Sequence, residues 1–591
     1  MEYTDNPRKL YGKVEVIFSD TDIARDVETE ESSDSAISHP KEVATGDLVP
    51  TTRACTMEGN SVMDGSFQMM DDSCCIGWWG GVLSNADGSF TNNQYIELTF
   101  LERPVTTWVL VGDSKLGQYP VDFTVTFKSH GAVVKTLTYT NNTQMQVRIN
   151  ETVEAVTGIR LTISKWSKGN AVVKILRFYD TLSETYEGDN LLSFEVGEEL
   201  ANKEGSYSIN SDTATVQIFN RDRKFDRGYL KSLLVLDRKI KPYIGIERNG
   251  EIIYKSLGTY YSDEWTTSQD SQWVKCQAVD KLYRLQKKTY VGMNVTRNTN
   301  LYAIVEDIMQ KAGYASAKYS ISESLKAVSI PMGFMPKESV WDALQEVANA
   351  GLCKVYVDRD DRIVIRSESD AVTDSRLEVN KSNMFSYSSS ISQVEFANRV
   401  SVQYCDVSIS EETEDAAETE VTLAAGESID LSIDYDSEIA DAVISVDNTN
   451  LRLLNFQSGI DACTVTVRND AASAQSGTIT VTGKKISVTN KKLMVQDEQS
   501  ILESGTIDYN HPSTNLIQSY AYAMQLAGFL LNKMSAGEGV IDTTWRGNPE
   551  LELGMKYVAK DRFDDESILI CEYNKFTFDG GLRQETRGRK I

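Results

Sequence analysis

The feature that most constrains the fold is an alternation of apolar and polar residues in short runs separated by turn residues. Near the end of the chain, Leu551, Leu553 and Met555 alternate with glutamate and glycine. A period of two is typical of a strand with one buried face. A longer run of this kind, residues 568–578, ends at an Asp-Gly-Gly turn. The pattern predicts an antiparallel sheet here, which finishes a larger barrel.

The period changes between residues 300 and 365, where apolar residues recur every three to four positions. Two helices are predicted there, the second over residues 338–351 with Gly351 as its C-cap. Two apolar runs then flank the polar residues 358–361, as in a hairpin. This order of elements predicts a small α+β unit. A further helix with a broad apolar face is predicted over residues 515–533.

The charge balance argues against a nucleic-acid-binding protein. The chain has 591 residues, enough for about four domains of ~150 residues each. It carries 86 acidic and 60 basic residues, a net charge of −26, so the basic footprint of a nucleic-acid binder is absent. The acidity indicates either a solubilising surface or a channel that repels the phosphate backbone of DNA.

The cysteines do not form a metal-binding or disulfide pattern. Eight cysteines are spread along the chain without a C-x-x-C motif, and Cys74 and Cys75 are adjacent. Most of them lie in apolar runs, so we expect buried free thiols and folding in a reducing cytoplasm. The first residues are polar and no run of ~18 apolar residues occurs. We therefore expect neither a signal peptide nor a transmembrane helix.

No catalytic constellation is visible in the sequence. The three histidines, His39, His130 and His511, lie in polar contexts without a second histidine at metal spacing or an adjacent cysteine. The nucleophile-elbow, phosphate-loop and zinc-protease motifs are absent. The acidic turn at residues 358–361 lacks the later glycine and glutamate of a calcium loop. We expect no enzyme activity, no cofactor and no metal site.

Residues 54–185 have the pattern of a β-sandwich, with short alternating runs between turn residues. They include the segment GWWG at residues 77–80 and the runs YIELTF and LTISKW. This region resembles a discoidin-like or carbohydrate-binding jelly roll. The resemblance implies that Trp78, Trp79 and Trp166 stack on sugar faces. The alternative is that the three rings fill the core of the sandwich.

Residues 190–292 carry the most specific signal in the chain. Asn249 begins an Asn-Gly pair between apolar runs, the strongest short signal for a hairpin. The succession NRDRKF, this hairpin, LGTYY and AVDKL resembles the first barrel domain of tail hub proteins from phages of Gram-positive bacteria. Residues 1–20 would add an N-terminal strand. The α+β unit, residues 296–380, resembles the domain between the two barrels of that family, although Arg362 stands where the family pattern has glycine.

The second barrel is predicted in two pieces. Residues 384–406 contain NRVSVQY, which resembles its opening strand, and residues 497–591 contain GNPELELG and FDGGL, which resemble the C-terminal β-domain of the same family. Between them, residues 411–496 carry an acidic linker and an all-β pattern that resembles a bacterial immunoglobulin-like module. The sequence thus predicts a module inserted within the second barrel.

Together these resemblances predict a mainly β, multidomain chain with two hub β-barrels, a small α+β domain between them and two accessory β-sandwiches. They imply a homotrimer in the virion, made in the host cytoplasm, that joins the tail tube or distal tail protein to other tail tip or baseplate proteins. Its channel would pass the tape measure protein and DNA without specific binding, and the first sandwich would contact host cell-wall glycan. The alternative is a modular carbohydrate-binding adhesin, but adhesins string their modules in series, whereas here one module interrupts another domain.

Overall fold

Strands dominate the part of the chain that is described, and they form one large sheet and several small ones. The computed structural model describes residues 3, 8–17, 28–32, 36–37, 53–54, 58, 67–68, 77–113, 116–180, 183–200, 207–220, 238–248, 250–267, 272–314, 316–391, 396–535 and 539–590. The architecture is mainly β and multidomain, which confirms the predicted fold class.

The chain begins with a strand of the large sheet and then leaves it to form an N-terminal module. The strands of this region are β1 (Leu10–Ile17), β2 (Glu28–Glu31), β3 (Ala36–Ile37), β4 (Arg53–Ala54), β5 (Phe67–Gln68), β6 (Trp78–Trp79), β7 (Ser89–Val111), β8 (Pro120–Ser129), β9 (Ala132–Tyr139), β10 (Gln146–Trp166), β11 (Lys174–Ile175) and β12 (Arg177–Asp180). Apart from β1, they form a six-stranded sheet, a three-stranded sheet and a strand pair. Runs that look separate in the sequence, such as residues 95–100 and 107–111, merge into single long strands, because register shifts between β7 and β10 absorb the residues between the runs.

The chain returns to the large sheet beside its own first strand. The strands are β13 (Ser183–Glu187), β14 (Leu191–Glu199), β15 (Thr213–Phe219), β16 (Lys239–Arg248), β17 (Glu251–Ser256), β18 (Tyr260–Thr267) and β19 (Trp273–Val279). Because β13 pairs with β1, the N-terminal module is inserted between two neighbouring strands. The order is β13-β1-β16-β18-β19-β15-β14, with β17 paired to β16. The predicted hairpin is confirmed, and Gly250 at its turn has a φ of 85°.

The predicted helices and hairpin form the α+β unit. Its elements are α1 (Lys281–Leu285), β20 (Thr289–Tyr290), β21 (Met293–Asn300), α2 (Leu301–Lys311), β22 (Tyr319–Ile321), β23 (Ser329–Met335), β24 (Glu338–Ser339), α3 (Val340–Gly351), β25 (Cys353–Val357) and β26 (Ile363–Ser367). Asn300 and Ser339 are the N-caps of α2 and α3. The prediction that Gly351 is a C-cap is wrong, because the C-cap is Leu352, with a φ of 48°. A Cβ at Gly351 would lie 2.6 Å from Leu301 Cδ2, so a larger residue there would force neighbouring side chains to shift.

The second inserted module is carried on a long two-stranded ribbon. The strands that lead to it and form it are β27 (Asp374–Val379), β28 (Met384–Ile391), β29 (Arg399–Leu423), β30 (Ser428–Asp434), β31 (Ile439–Val446), β32 (Leu451–Ser458), β33 (Ala462–Asn469) and β34 (Gln475–Gln496). The ribbon consists of β29 and β34 paired along most of their length. Residues 399–406, assigned to the second barrel from the sequence, lie at the base of this ribbon, where Val400 and Val402 pack into the core of the α+β unit.

The remaining elements complete the large sheet. They are α4 (Glu498–Ser504), β35 (Asp508–Asn510), α5 (Tyr520–Ser535), β36 (Gly539–Trp545), β37 (Lys556–Lys560), β38 (Glu566–Phe578) and β39 (Leu582–Lys590). β38 pairs with β14, and Phe194 stacks on Phe578 at 5.4 Å between ring centroids. The order continues as β14-β38-β39-β36-β28, with β37 and β27 branching from β38. The large sheet thus has a first half from residues 10–17 and 183–279 and a second half from residues 374–391 and 539–590. The division into two barrels stays a prediction. α5 packs on the ribbon and the α+β core.

Candidate functional site

A buried ion pair connects the α+β unit to the large sheet at the place where the two halves of the sheet meet. Arg359 lies in the turn between β25 and β26, and Glu198 lies on β14. Arg359 Nε donates to Glu198 Oε1 at 2.7 Å and Nη2 donates to Oε2 at 2.9 Å, a two-point geometry that makes such pairs strong. Asn574 on β38 donates to the same carboxylate at 3.4 Å. One charged cluster therefore contacts both halves of the sheet and the α+β unit.

Two further carboxylates, Asp212 and Asp280, are buried beside this pair. Asp280 accepts hydrogen bonds from Ser211 Oγ at 2.8 Å and from the Asp212 backbone N–H at 3.0 Å. Burial raises the pKa of Asp280 to about 6. Burial, followed by the charges of Asp280 and Glu198, raises the pKa of Asp212 well above its ordinary range. The raised pKa favours the neutral form of Asp212, which lessens the negative charge of the cluster.

A second charged cluster joins the α+β unit to α5 and to the end of the chain. Glu368 follows β26 and lies 3.0 Å from Lys533 Nζ on α5, 3.6 Å from Arg589 Nη2 on β39 and 3.7 Å from Lys354 Nζ on β25. Burial raises the pKa of Glu368, but the three cations together lower it to about 2. Arg589 Nε also donates to Glu572 Oε1 at 2.7 Å. The Glu368 carboxylate thus connects β25, α5 and β39, three elements that are far apart in the sequence.

The second inserted module is docked on the α+β unit by apolar and polar contacts. A small cluster of buried apolar residues comes from both sides of the contact. Gly459 of the module packs against the backbone of residues 291–292, where a Cβ would collide with it. On the α+β unit, the backbone N–H of Lys337 donates to Asp461 Oδ1 of the module at 2.7 Å. The Lys337 Nζ lies 2.5 Å from Asp434 Oδ1, also of the module. Close packing therefore fixes how the module is attached.

The three tryptophans proposed to stack on glycan are buried. Trp78, Trp79 and Trp166 are 0%, 3% and 1% exposed. Trp166 Nε1 donates to Gln118 Oε1 at 2.9 Å, and Trp78 and Trp166 belong to the core of the N-terminal module. Stacking on a sugar needs an open ring face, which none of the three offers in this structure. Glycan contact by these residues stays a prediction, and their burial agrees with the alternative that they fill the core.

The described histidines and acidic residues do not converge on a catalytic or metal site. No group of three or more His, Cys, Asp or Glu side chains in the described ranges is arranged to hold a metal ion. His130 is exposed, with Nε2 3.5 Å from Glu102. His511 is buried with Nε2 2.8 Å from the Asn349 carbonyl oxygen, and burial lowers its pKa. His39 lies outside the described residues.

The cysteines that the structure describes are free and buried, namely Cys276, Cys353, Cys405, Cys463 and Cys571. The other three, Cys55, Cys74 and Cys75, lie outside the described residues. Within the described part of the chain, no helix is both long enough and apolar enough to cross a membrane.

Sequence reasoning missed the charged residues that hold the parts together. Glu198, Arg359 and Glu368 belong to no motif, and with 25% of the chain charged a single charge does not stand out. One signal was available for Glu198, which follows Phe194 and Val196 on the inward face of β14. A charge at an inward position requires a buried partner, because burying it alone is costly.

Comparisons with known proteins give distant structural matches. No protein-family profile and no curated protein matches the sequence. Among solved structures, the chain is similar to a tail protein from Neisseria meningitidis, with 12% identity, a TM-score of 0.39 and coverage of 68% of this chain and 93% of that chain. A prophage tail protein from Shewanella oneidensis gives 12% identity, a TM-score of 0.37 and coverage of 68% and 95%. Prophage tail protein gp18 from Listeria monocytogenes gives 8% identity, a TM-score of 0.35 and coverage of 69% and 91%. Since these TM-scores are low, the alignments by themselves carry no conclusion about function.

Proposed function

We propose that the chain is a structural subunit of a phage tail or tail-like particle, a trimeric hub between the tail tube or distal tail protein and the tail tip. The observation that carries this proposal is the large sheet, in which β14 and β38 join two halves into one continuous wall. One chain thereby supplies two sheet segments, and three chains would supply six. Head-to-tail association of identical subunits produces a closed ring when the rotation between them closes.

The attachment of the two accessory modules supports a hub rather than a modular adhesin. The N-terminal module leaves after β1 and returns at β13, and these two strands pair with each other. The second module is carried on the paired strands β29 and β34. Both modules are therefore added without interrupting the large sheet. Modules arranged in series, as in an adhesin, do not need such paired attachment strands.

The proposed partners follow from the ring. The tape measure protein and DNA would pass through its channel, and the net charge of −26 would discourage DNA from adhering to the wall. Other tail tip or baseplate proteins would bind the ring on the side away from the tail tube. The N-terminal module would contact host cell-wall glycan. Synthesis in the host cytoplasm agrees with the buried free cysteines that the structure describes.

The test is the mass and shape of the purified full-length chain. We expect light scattering to give three times the 66.0 kDa of one chain, and electron microscopy of the same sample to show a ring with an open centre. Both measurements are repeated with tail tubes added, since the tube supplies a template. A monomer under every condition, with or without tubes, would refute the hub.

A further inference from the structure

One end of the large sheet is an exposed edge without charge. In the described part of the chain, β28 pairs with β36 on one side and with no strand on the other. Residues 382–394 contain no charged side chain, although 25% of the whole chain is charged. Phe385 on this strand is 62% exposed. Natural edge strands are usually protected by lysine, proline or short length, and β28 is eight residues long with neither residue.

The first half of the sheet has an apolar groove beside another edge strand. The groove has a volume of about 590 Å³, which is within the usual range for binding pockets. The apolar and aromatic residues that line it include Leu10, Tyr11, Leu191, Leu192, Phe219 and Phe578. Ile252 of β17 also lines it, and Ile252 and Ile253 are 36% and 47% exposed. Since consecutive strand residues point to opposite faces, β17 is accessible from both sides.

The charges around the groove restrict what can occupy it. Glu187, Asp189 and Asp579 also line the groove, so they repel an acidic segment. A second copy of this chain has a net charge of −26, so its acidic segments are unfavourable here. Residues 382–394 carry no charge for the groove to repel, and Phe385 among them is an exposed aromatic side chain. The acidic residues of the groove therefore do not repel the uncharged edge, and the apolar lining matches the ring of Phe385.

We propose that β28 of one copy docks against β17 and the apolar groove of the next copy, with Phe385 in the groove. This inference rests on the proposed ring and specifies the two surfaces through which its subunits meet. β28 would add by backbone hydrogen bonds to the edge of β17 that pairs with no other strand among the described residues, as in other strand-addition contacts. Because the two surfaces differ, the contact is head-to-tail and repeats around the ring.

A photo-crosslinking probe tests the contact directly. p-Benzoylphenylalanine replaces Phe385 in the full-length chain, and unlabelled probe-carrying chains are mixed with isotopically labelled chains lacking the probe before irradiation. We expect mass spectrometry to find a link from residue 385 to residues 251–256, or to the groove, of the labelled copy. The same probe at Phe563, which is exposed in a turn elsewhere in the chain, is the control and should not give this link. A link from residue 385 to a different segment, or to another protein, would overturn the proposal.

Charge substitutions test whether the contact holds the ring together. Phe385→Glu places a charge against the acidic groove, and Ile252→Lys places one in the groove lining against the apolar ring of Phe385, so we expect each variant to shift the mass from trimer toward monomer. The double variant pairs the two new charges across the contact, so it should recover the trimer and shows that the single variants are folded. If the wild type is a trimer and Phe385→Glu remains one, this contact is wrong and the hub stands. If the wild type is a monomer under every condition, both this contact and the proposed hub are refuted.

Discussion

Replacing Glu368 by glutamine should destabilise the contact between the α+β unit, α5 and β39. The side chain is 14% exposed and contacts Lys533, Arg589 and Lys354. Its pKa falls from 4.5 to about 2 on folding, because the three cations outweigh the effect of burial. At about 1.4 kcal/mol per pKa unit, this shift corresponds to about 3 kcal/mol of stability. Burial lowers the pKa of Lys354, so desolvation of the cations offsets part of the gain and the figure is an upper value.

The sign of the pH dependence follows from the direction of the shift. A carboxylate whose pKa is lower in the folded state stabilises the fold above its unfolded pKa and loses this effect as the pH falls through its folded pKa. The stability difference between wild type and Glu368→Gln should therefore be full at pH 7. It should shrink as the pH falls from about 4.5 to about 2, because glutamine has no charge to lose.

Hydrogen exchange is the suitable assay, since a multidomain chain does not unfold in two states. In Glu368→Gln at pH 7 we expect amides of α5 and β39 to exchange up to roughly a hundredfold faster, the equivalent of about 3 kcal/mol. Glu323→Gln is the matched control, because Glu323 is exposed and pairs with Lys326 on the same short helical turn. Equal protection in both variants, or a difference that does not change with pH, would refute the reasoning.

Four further variants or treatments have definite expected outcomes. Arg359→Ala should cost about 3–5 kcal/mol of local stability, measured as faster hydrogen exchange in β14 and β38, because it leaves Glu198 buried without its cation. Lysine should not restore the loss, since it cannot donate at two points. Gly351→Ala should cost about 1–3 kcal/mol, because its Cβ would approach Leu301; unchanged thermal unfolding would contradict this. The described cysteines should resist iodoacetamide in the native chain and react in urea, as mass spectrometry can show, because burial raises the pKa of their thiols. Trp166→Phe should lower the melting temperature of the N-terminal module, because it removes a buried hydrogen bond. Binding of the full-length chain to host cell-wall glycan should stay unchanged. A selective loss of glycan binding would restore the hypothesis that Trp166 stacks on sugar.

Patterns that act over a few residues were predictable from the sequence. The period of two gave the strands of the large sheet, and the change of period gave α2 and α3. The turn at Gly250 was predictable because few residues adopt a positive φ readily. The same local rules were misleading at Gly351, where neighbouring side chains rather than the backbone favour glycine. A local rule cannot distinguish these two causes, since both favour the same residue.

Which strands pair was decided only by the tertiary structure. The alternation in residues 399–406 suits any half-buried strand, and packing placed it in the ribbon rather than in the large sheet. The pairing of β14 with β38 brings together Phe194 and Phe578. Arg359 forms its ion pair with Glu198, which is 161 positions away in the sequence. Sequence by itself determined that the chain is β-rich, acidic and interrupted by inserted modules. Long-range pairing depends on which buried surfaces and charges fit together after the chain closes on itself, and no short pattern encodes that choice.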